Sequence, residues 1–212
     1  MLRSEPDHLV VACADLEQGS AWAVEALGAE PQPGGQHATM GTHNRLLKLG
    51  PRVYLELLAI DPRAAPPAHP RWFALDDPAV RARARRSPFL LTWVASTTDI
   101  VEAVTRVPAL GEPRAFTRGA YAWRLTVTED SALPFGGVLP AAIEWRGAHP
   151  CDALEARGCA LVELRFSHPA AASVLPLFRE LRIAGPVQLK PGPKSLVALL
   201  RTPRGEVELR DA

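Results

Sequence analysis

The chain has 212 residues, 47% of them hydrophobic and 22% charged, with a formal net charge of +1. This fits an ordinary globular protein with a real core and excludes a general nucleic-acid or membrane-surface binder, because phosphate recognition leans on clustered Lys and Arg. The three cysteines, Cys13, Cys151 and Cys159, lack CxxC spacing and leave an odd thiol, so a reducing, cytoplasmic setting is expected.

In chain order, Glu5 and Asp7 precede any apolar run, so no signal peptide is expected. Asp7 to Ala14 is a short apolar strand with His8 near its start. Asp15 fits an N-cap with Gln18 three residues on, and Leu16, Val24 and Leu27 share a helical face that ends at Gly28. Pro31 to Gly35 reads as a loop, with room for a short strand around Gln36 to Met40. Thr42 to Leu49 and Val53 to Ile60 read as two strands joined by Gly50-Pro51. The second of these carries Glu56 inside an apolar run, where a carboxylate needs a charge partner, hydrogen bonds or a metal. A structural carboxylate paired with a cation such as Arg45 and a functional carboxylate are both open at this point.

Asp61 to Pro70 is Pro- and Ala-rich and reads as a linker or surface loop, and Trp72 to Arg86 as a connecting helix whose arginines Arg81, Arg83, Arg85 and Arg86 make a solvated face. Then the first pattern returns. Phe89 to Ala95 is strand-like, Asp99 caps a helix lined by Ile100, Val104 and Val107, and strands follow at Arg114 to Phe116, Ala120 to Val127 and Val138 to Trp145. A third, weaker copy runs through Ala160 to Phe166, a helix from Ala170 to Leu181 that Pro176 should kink or delay, and strand segments at Gln188-Leu189, Leu196 to Arg201 and Glu206 to Arg210. From the first-strand position (His8, Thr92, Leu161) to the last-strand carboxylate (Glu56, Glu144, Glu208) the spacing is 48, 52 and 47 residues, as a repeated unit requires. The expected fold class is α+β, built of tandem βαβββ modules at about 5–61 and 88–146, joined by 62–87, within a domain of residues 1–150. A divergent third module fills 151–212.

The pieces Asp7-His8-Leu9-Val10-Val11, Gly41-Thr42-His43-Asn44-Arg45-Leu46, Tyr54-Leu55-Glu56-Leu57 and Pro134-Phe135 with Ile143-Glu144-Trp145 resemble the vicinal oxygen chelate superfamily, and within it the glyoxalase-like subgroup. The resemblance covers roughly Leu2 to Pro150. It implies a half-open barrel whose cup holds a divalent metal, Mn, Fe, Zn or Ni, on His8, Glu56 and Glu144, with Thr92 standing where a fourth ligand would be. It also implies an isomerase, lyase or dioxygenase acting on a small oxygen-bearing molecule, with Glu144 and His43 as acid/base candidates and Asn44, Trp123 and Trp145 on the substrate pocket. The alternative is a metal-free small-molecule binding or sequestering protein, as Thr92 suggests. His37 is expected as an exposed loop residue, and His69, His149 and His168, each next to a proline, as turn residues. An odd third module would expose an apolar face, so a two-fold homodimer is expected.

Overall fold

The computed structural model describes residues 1–211. Its first half runs β1 (Ser4–Ala12), α1 (Leu16–Leu27), β2 (Gln32–His37), β3 (Thr42–Lys48) and β4 (Tyr54–Ile60). After α2 (Pro78–Arg86) come β5 (Phe89–Thr97), α3 (Ile100–Arg106), β6 (Glu112–Arg118), β7 (Tyr121–Val127) and β8 (Ala141–Arg146). The short α4 (Pro150–Ala153) leads to β9 (Ala160–His168), α5 (Ala171–Glu180), β10 (Val187–Pro191), β11 (Ser195–Thr202) and β12 (Gly205–Arg210). Helix starts follow the capping chemistry: Asp15 accepts from the Gln18 amide, Asp99 from that of Glu102, and Gly28 ends α1 at φ 68°.

The first eight strands form one curled sheet in the order β2-β3-β4-β1-β5-β8-β7-β6. Strands β1 and β5 run antiparallel at its centre, and each pairs in parallel with the last strand of its own half, β1 with β4 and β5 with β8. Two similar half-sheets therefore meet edge to edge and curl into a half-barrel.

Two local expectations change. Gln32–His37 is a strand despite Pro33, Gly34 and Gly35; it lies on the sheet edge, and its register to β3 shifts between Pro33 and Gln36, where a missing donor and missing side chains are tolerated. The connecting helix starts only at Pro78. Proline disfavours helical backbone at Asp77 before it, and Asp77 caps the helix by accepting from the Ala79 amide. Trp72 and Phe73 instead lie in an irregular segment across the concave face of the half-barrel, packed with Leu91, Trp123, Leu125 and Ile143. The Ala74 amide donates to the Ser131 carbonyl at 2.8 Å and pins that segment to the second half.

The last five elements repeat the order strand, helix, three strands, but their sheet runs β10-β9-β11-β12, with the first strand inside rather than at the edge. Pro176 lies within α5, which runs through it. This smaller sheet packs on the convex side of the large one, in a core shared by Leu9, Leu57, Trp93, Leu164, Phe166, Leu196 and Leu200. The Trp93 and Phe166 rings stack at 5.2 Å. The apolar face from which a dimer was expected is thus covered within the chain. No helix among the described residues is long and apolar enough to cross a membrane.

Candidate functional site

The cup is set by strand parity. Residues two apart share a face, so the concave face receives His8 and Val10 from β1, Asn44 from β3, Tyr54 and Glu56 from β4, Trp123 and Leu125 from β7, and Ile143 and Trp145 from β8. Trp72 and Phe73 cover it, leaving a small cavity of about 30 Å³.

Asp7 is the hub of the polar floor. The β1–β5 register shifts between Pro6 and His8, and this bulge turns Asp7 towards the same side as His8 instead of the opposite one. Asp7 is 1% exposed. Its Oδ1 accepts from His8 Nδ1 at 2.6 Å, and its Oδ2 accepts from Trp145 Nε1 at 2.9 Å and from His149 Nε2 at 3.2 Å. The Cys151 amide donates to His149 Nδ1 at 3.1 Å, which puts the His149 proton on Nε2 and aims it at Asp7. Burial alone would raise the Asp7 pKa, but these bonds from His149 and His8 hold it below the usual carboxylate range. His149, expected as a turn residue, is fully buried and caps α4 while it serves this carboxylate.

With its Nδ1 proton given to Asp7, His8 presents Nε2 to Glu56 Oε2 at 3.7 Å. Its ring stacks on Tyr54 at 4.7 Å. Glu56 Oε1 accepts from Asn44 Nδ2 at 2.6 Å, and Asn44 Oδ1 accepts from the Gly35 amide at 2.8 Å and from Arg118 Nη1 at 3.1 Å. Arg45 does not reach Glu56; it lies on the other face and donates to Ser20 Oγ at 2.8 Å. His37, far from being an exposed loop residue, is buried beside Trp72, and burial first, then the Arg118 charge, push its pKa down to about 3.

Two residues from the sequence reading stand elsewhere. Glu144 alternates with Ile143 and Trp145, so it faces the convex side, where its carboxylate accepts from Arg124 Nε at 2.9 Å and from the Ile100 amide at the start of α3 at 3.2 Å. His43 alternates with Asn44 and likewise leaves the cup; its Nε2 is buried without a hydrogen-bond partner. For Glu144 the repeat spacing hid a parity error of one residue, and of the neighbours His43 and Asn44 alternation admits only Asn44 to the cup. Sequence reasoning also missed Asp7, whose bulge reverses the alternation, and Arg118, which looks like an ordinary strand arginine.

These donors do not fit the expected metal. Of the three ligands, only His8 and Glu56 share the cup. Position 143 is isoleucine, and the Thr92 hydroxyl donates to the Gly137 carbonyl at 3.1 Å. Among the described residues no three His, Cys, Asp or Glu side chains converge as a metal would need. The Arg118 cation beside Asn44 further opposes a second positive charge in the cup.

Gly34 is sterically required here. A Cβ at this position would fall 2.0 Å from Asn44 Oδ1 and 2.7 Å from the Asn44 carbonyl oxygen. Gly34→Ala should therefore push Asn44 off Glu56 and destabilise the fold by about 2 kcal/mol. Urea denaturation checks this, and an unchanged midpoint would mean that β2 yields freely.

The family described as a glyoxalase-like domain matches residues 7–181. Among solved structures, a hypothetical protein from Staphylococcus aureus is 13% identical with a TM-score of 0.60, the match covering 90% of this chain and 87% of that one. A mutant of 4-hydroxymandelate synthase from Streptomyces coelicolor is 16% identical with a TM-score of 0.52, covering 99% of this chain but 62% of that one. Such identities establish likeness of fold. No curated protein sequence matches the chain.

Proposed function

The chain belongs to the glyoxalase-like domain family, and from that premise we propose that it is a small-molecule enzyme of the isomerase or lyase type, moving a proton between His8 and a ligand in the cup without a resident metal. The observation that carries the reading is the buried series Asp7–His8–Glu56, with Nδ1 to Oδ1 at 2.6 Å and Nε2 to Oε2 at 3.7 Å.

Asp7 fixes the imidazole tautomer and would stabilise the imidazolium formed when Nε2 takes a proton. Glu56 lies opposite, so that a proton held between the two groups leaves one as acid and the other as base. Removing a proton from a carbon next to a carbonyl and returning it to a neighbouring atom asks for such a pair on one side of a planar ligand. Asn44 holds Glu56 in place, and Trp123 and Trp145 supply an apolar wall that excludes water. Oxygenation, which the resemblance allowed, asks for a redox metal with about three protein ligands, and the cup supplies two.

The binding-and-sequestering alternative keeps one specific support, the small cavity beneath Trp72 and Phe73, which must widen for any ligand larger than water. Proton exchange separates the two. In D₂O, a panel of small carbonyl compounds followed by NMR should include members whose α-protons exchange faster with protein than with buffer, whether or not net turnover occurs. Calorimetric titration with Mn, Zn and Ni should show no micromolar site. Ligand binding without exchange would leave the sequestering protein, and tight metal binding would overturn the metal-free mechanism.

A further inference from the structure

We propose that Arg118 is the receptor for a carboxylate on the small molecule that the cup takes, which makes the substrate class a small organic acid; this rests on reading the cup as a proton-transfer site.

Arg118 ends β6 in the second half of the sheet and reaches across to the first. Its Nη1 donates to His37 Nε2 at 3.1 Å and to Asn44 Oδ1 at 3.1 Å. Since His37 Nε2 accepts, its proton sits on Nδ1, which donates to Thr42 Oγ1 at 3.0 Å. Both partners of the guanidinium are therefore neutral. Among the described residues no carboxylate lies within ion-pair distance of it, whereas the part-buried Arg71 and Arg124 have one each, Asp76 and Glu144. Asn44 separates the two charges of the cup: its amide nitrogen serves Glu56 and its oxygen serves Arg118. A half-buried cation held by two neutral acceptors and the Tyr121 ring at 5.6 Å keeps part of its desolvation cost, which an arriving anion would offset.

The free edge has the right form. Both bonds use Nη1, leaving the Nε–H and Nη2–H edge without a hydrogen-bond partner among the described residues, and that edge matches a carboxylate in a side-on, two-bond geometry. The position is also built rather than incidental. A Cβ on Gly35 would meet Arg118 Cδ at 2.6 Å, so the glycine lets β2 lie directly against the arginine stem. Arg118 lines the inner cavity and also an outer cleft of about 320 Å³ bordered by Pro33, Leu46, Tyr121 and Leu154. Its side chain is the wall that the two share. An acid whose carboxylate binds Arg118 from the outer cleft would direct its adjacent carbon towards His8 and Glu56 and leave any larger body in that cleft, which is within the size range of small-ligand sites.

The test compares pyruvate with pyruvamide and benzoate with benzamide, on wild type, Arg118→Gln, Arg118→Lys and His8→Gln, each checked for folding by thermal melting. Binding is read by tryptophan fluorescence, and pyruvate methyl exchange in D₂O by NMR. The expected result is that at least one acid binds wild type roughly ten- to a hundredfold more tightly than its amide. Arg118→Gln should remove that preference, Arg118→Lys should restore part of it, and His8→Gln should keep it. Equal binding of acids and amides, no binding of either acid, or a preference that survives Arg118→Gln would each overturn the proposal. The two readings fail separately: acids bound through Arg118 without exchange in any compound would remove the proton-transfer function alone. Exchange that treats pyruvate and pyruvamide alike would remove the Arg118 assignment alone.

Discussion

Asp7→Asn is expected to destabilise the protein by about 3 kcal/mol or more, because it removes the carboxylate on which three buried donors converge and leaves them facing an amide. Asp7 accepts from His8, Trp145 and His149. Asparagine offers a single oxygen in place of two, and its NH₂ group would point at an N–H donor. The pH dependence identifies the cause. A carboxylate whose folded pKa is lowered contributes its full stability above the unfolded value of about 3.9 and loses it as pH falls through the folded one. The gap between wild type and Asp7→Asn should therefore shrink as pH falls below about 4. Asp61, Asp76 and Asp152, whose pKa values are also lowered, titrate in both proteins and cancel in the difference. Guanidinium denaturation at several pH values measures it. A gap under 1 kcal/mol at pH 7 would mean that the histidines find other partners, and that Asp7 does not fix the His8 tautomer.

The half-barrel was legible because it is written in periodicities: the capping residues Asp15 and Asp99, the apolar strands behind Glu56 and Trp145, and the near-constant spacing between them all reflect local chemistry. The site was legible only in part. His8, Glu56, Asn44, Trp123 and Trp145 do surround one cavity, but Glu144 and His43 fall on the other face. A one-residue error in strand register exchanges the two faces, and a repeat measured over some fifty residues does not fix parity. Asp7 was hidden for the opposite reason, since alternation would have placed it away from His8 and only the bulge brings them together. His149 and Arg118 come to the cup from a later segment and from the far half of the sheet, and such long-range meetings leave no mark in local sequence. The lid was missed because the Ala- and Arg-rich run after Pro78 resembles helix, and nothing upstream of that proline shows that Trp72 and Phe73 turn inward.

Glu56→Gln and His8→Gln should each lower catalysed proton exchange by roughly 10²- to 10³-fold, and Glu56→Gln should do so while leaving the fold close to wild-type stability. Glutamine at 56 keeps an oxygen for the Asn44 amide and turns an NH₂ towards His8 Nε2, where it meets a lone pair in place of a second acceptor; the shape is preserved and the titrating group is gone. Stability and activity then respond separately, unlike Asp7→Asn, where both fall. The double variant discriminates further. If His8 and Glu56 pass one proton between them, they act as a unit, and removing both should cost little more than removing either, because the first substitution already abolishes the exchange. Independent roles would instead make the two losses multiply. His43→Gln and Glu144→Gln serve as controls, since their side chains lie on the convex face and should leave the exchange rate unchanged. The measurement is the first-order rate of deuterium incorporation into a carbonyl acid at fixed protein concentration. A Glu56→Gln rate within threefold of wild type would place the base elsewhere in the cup, and a loss in Glu144→Gln as large as that in Glu56→Gln would mean that β8 does not present Ile143 and Trp145 to the ligand.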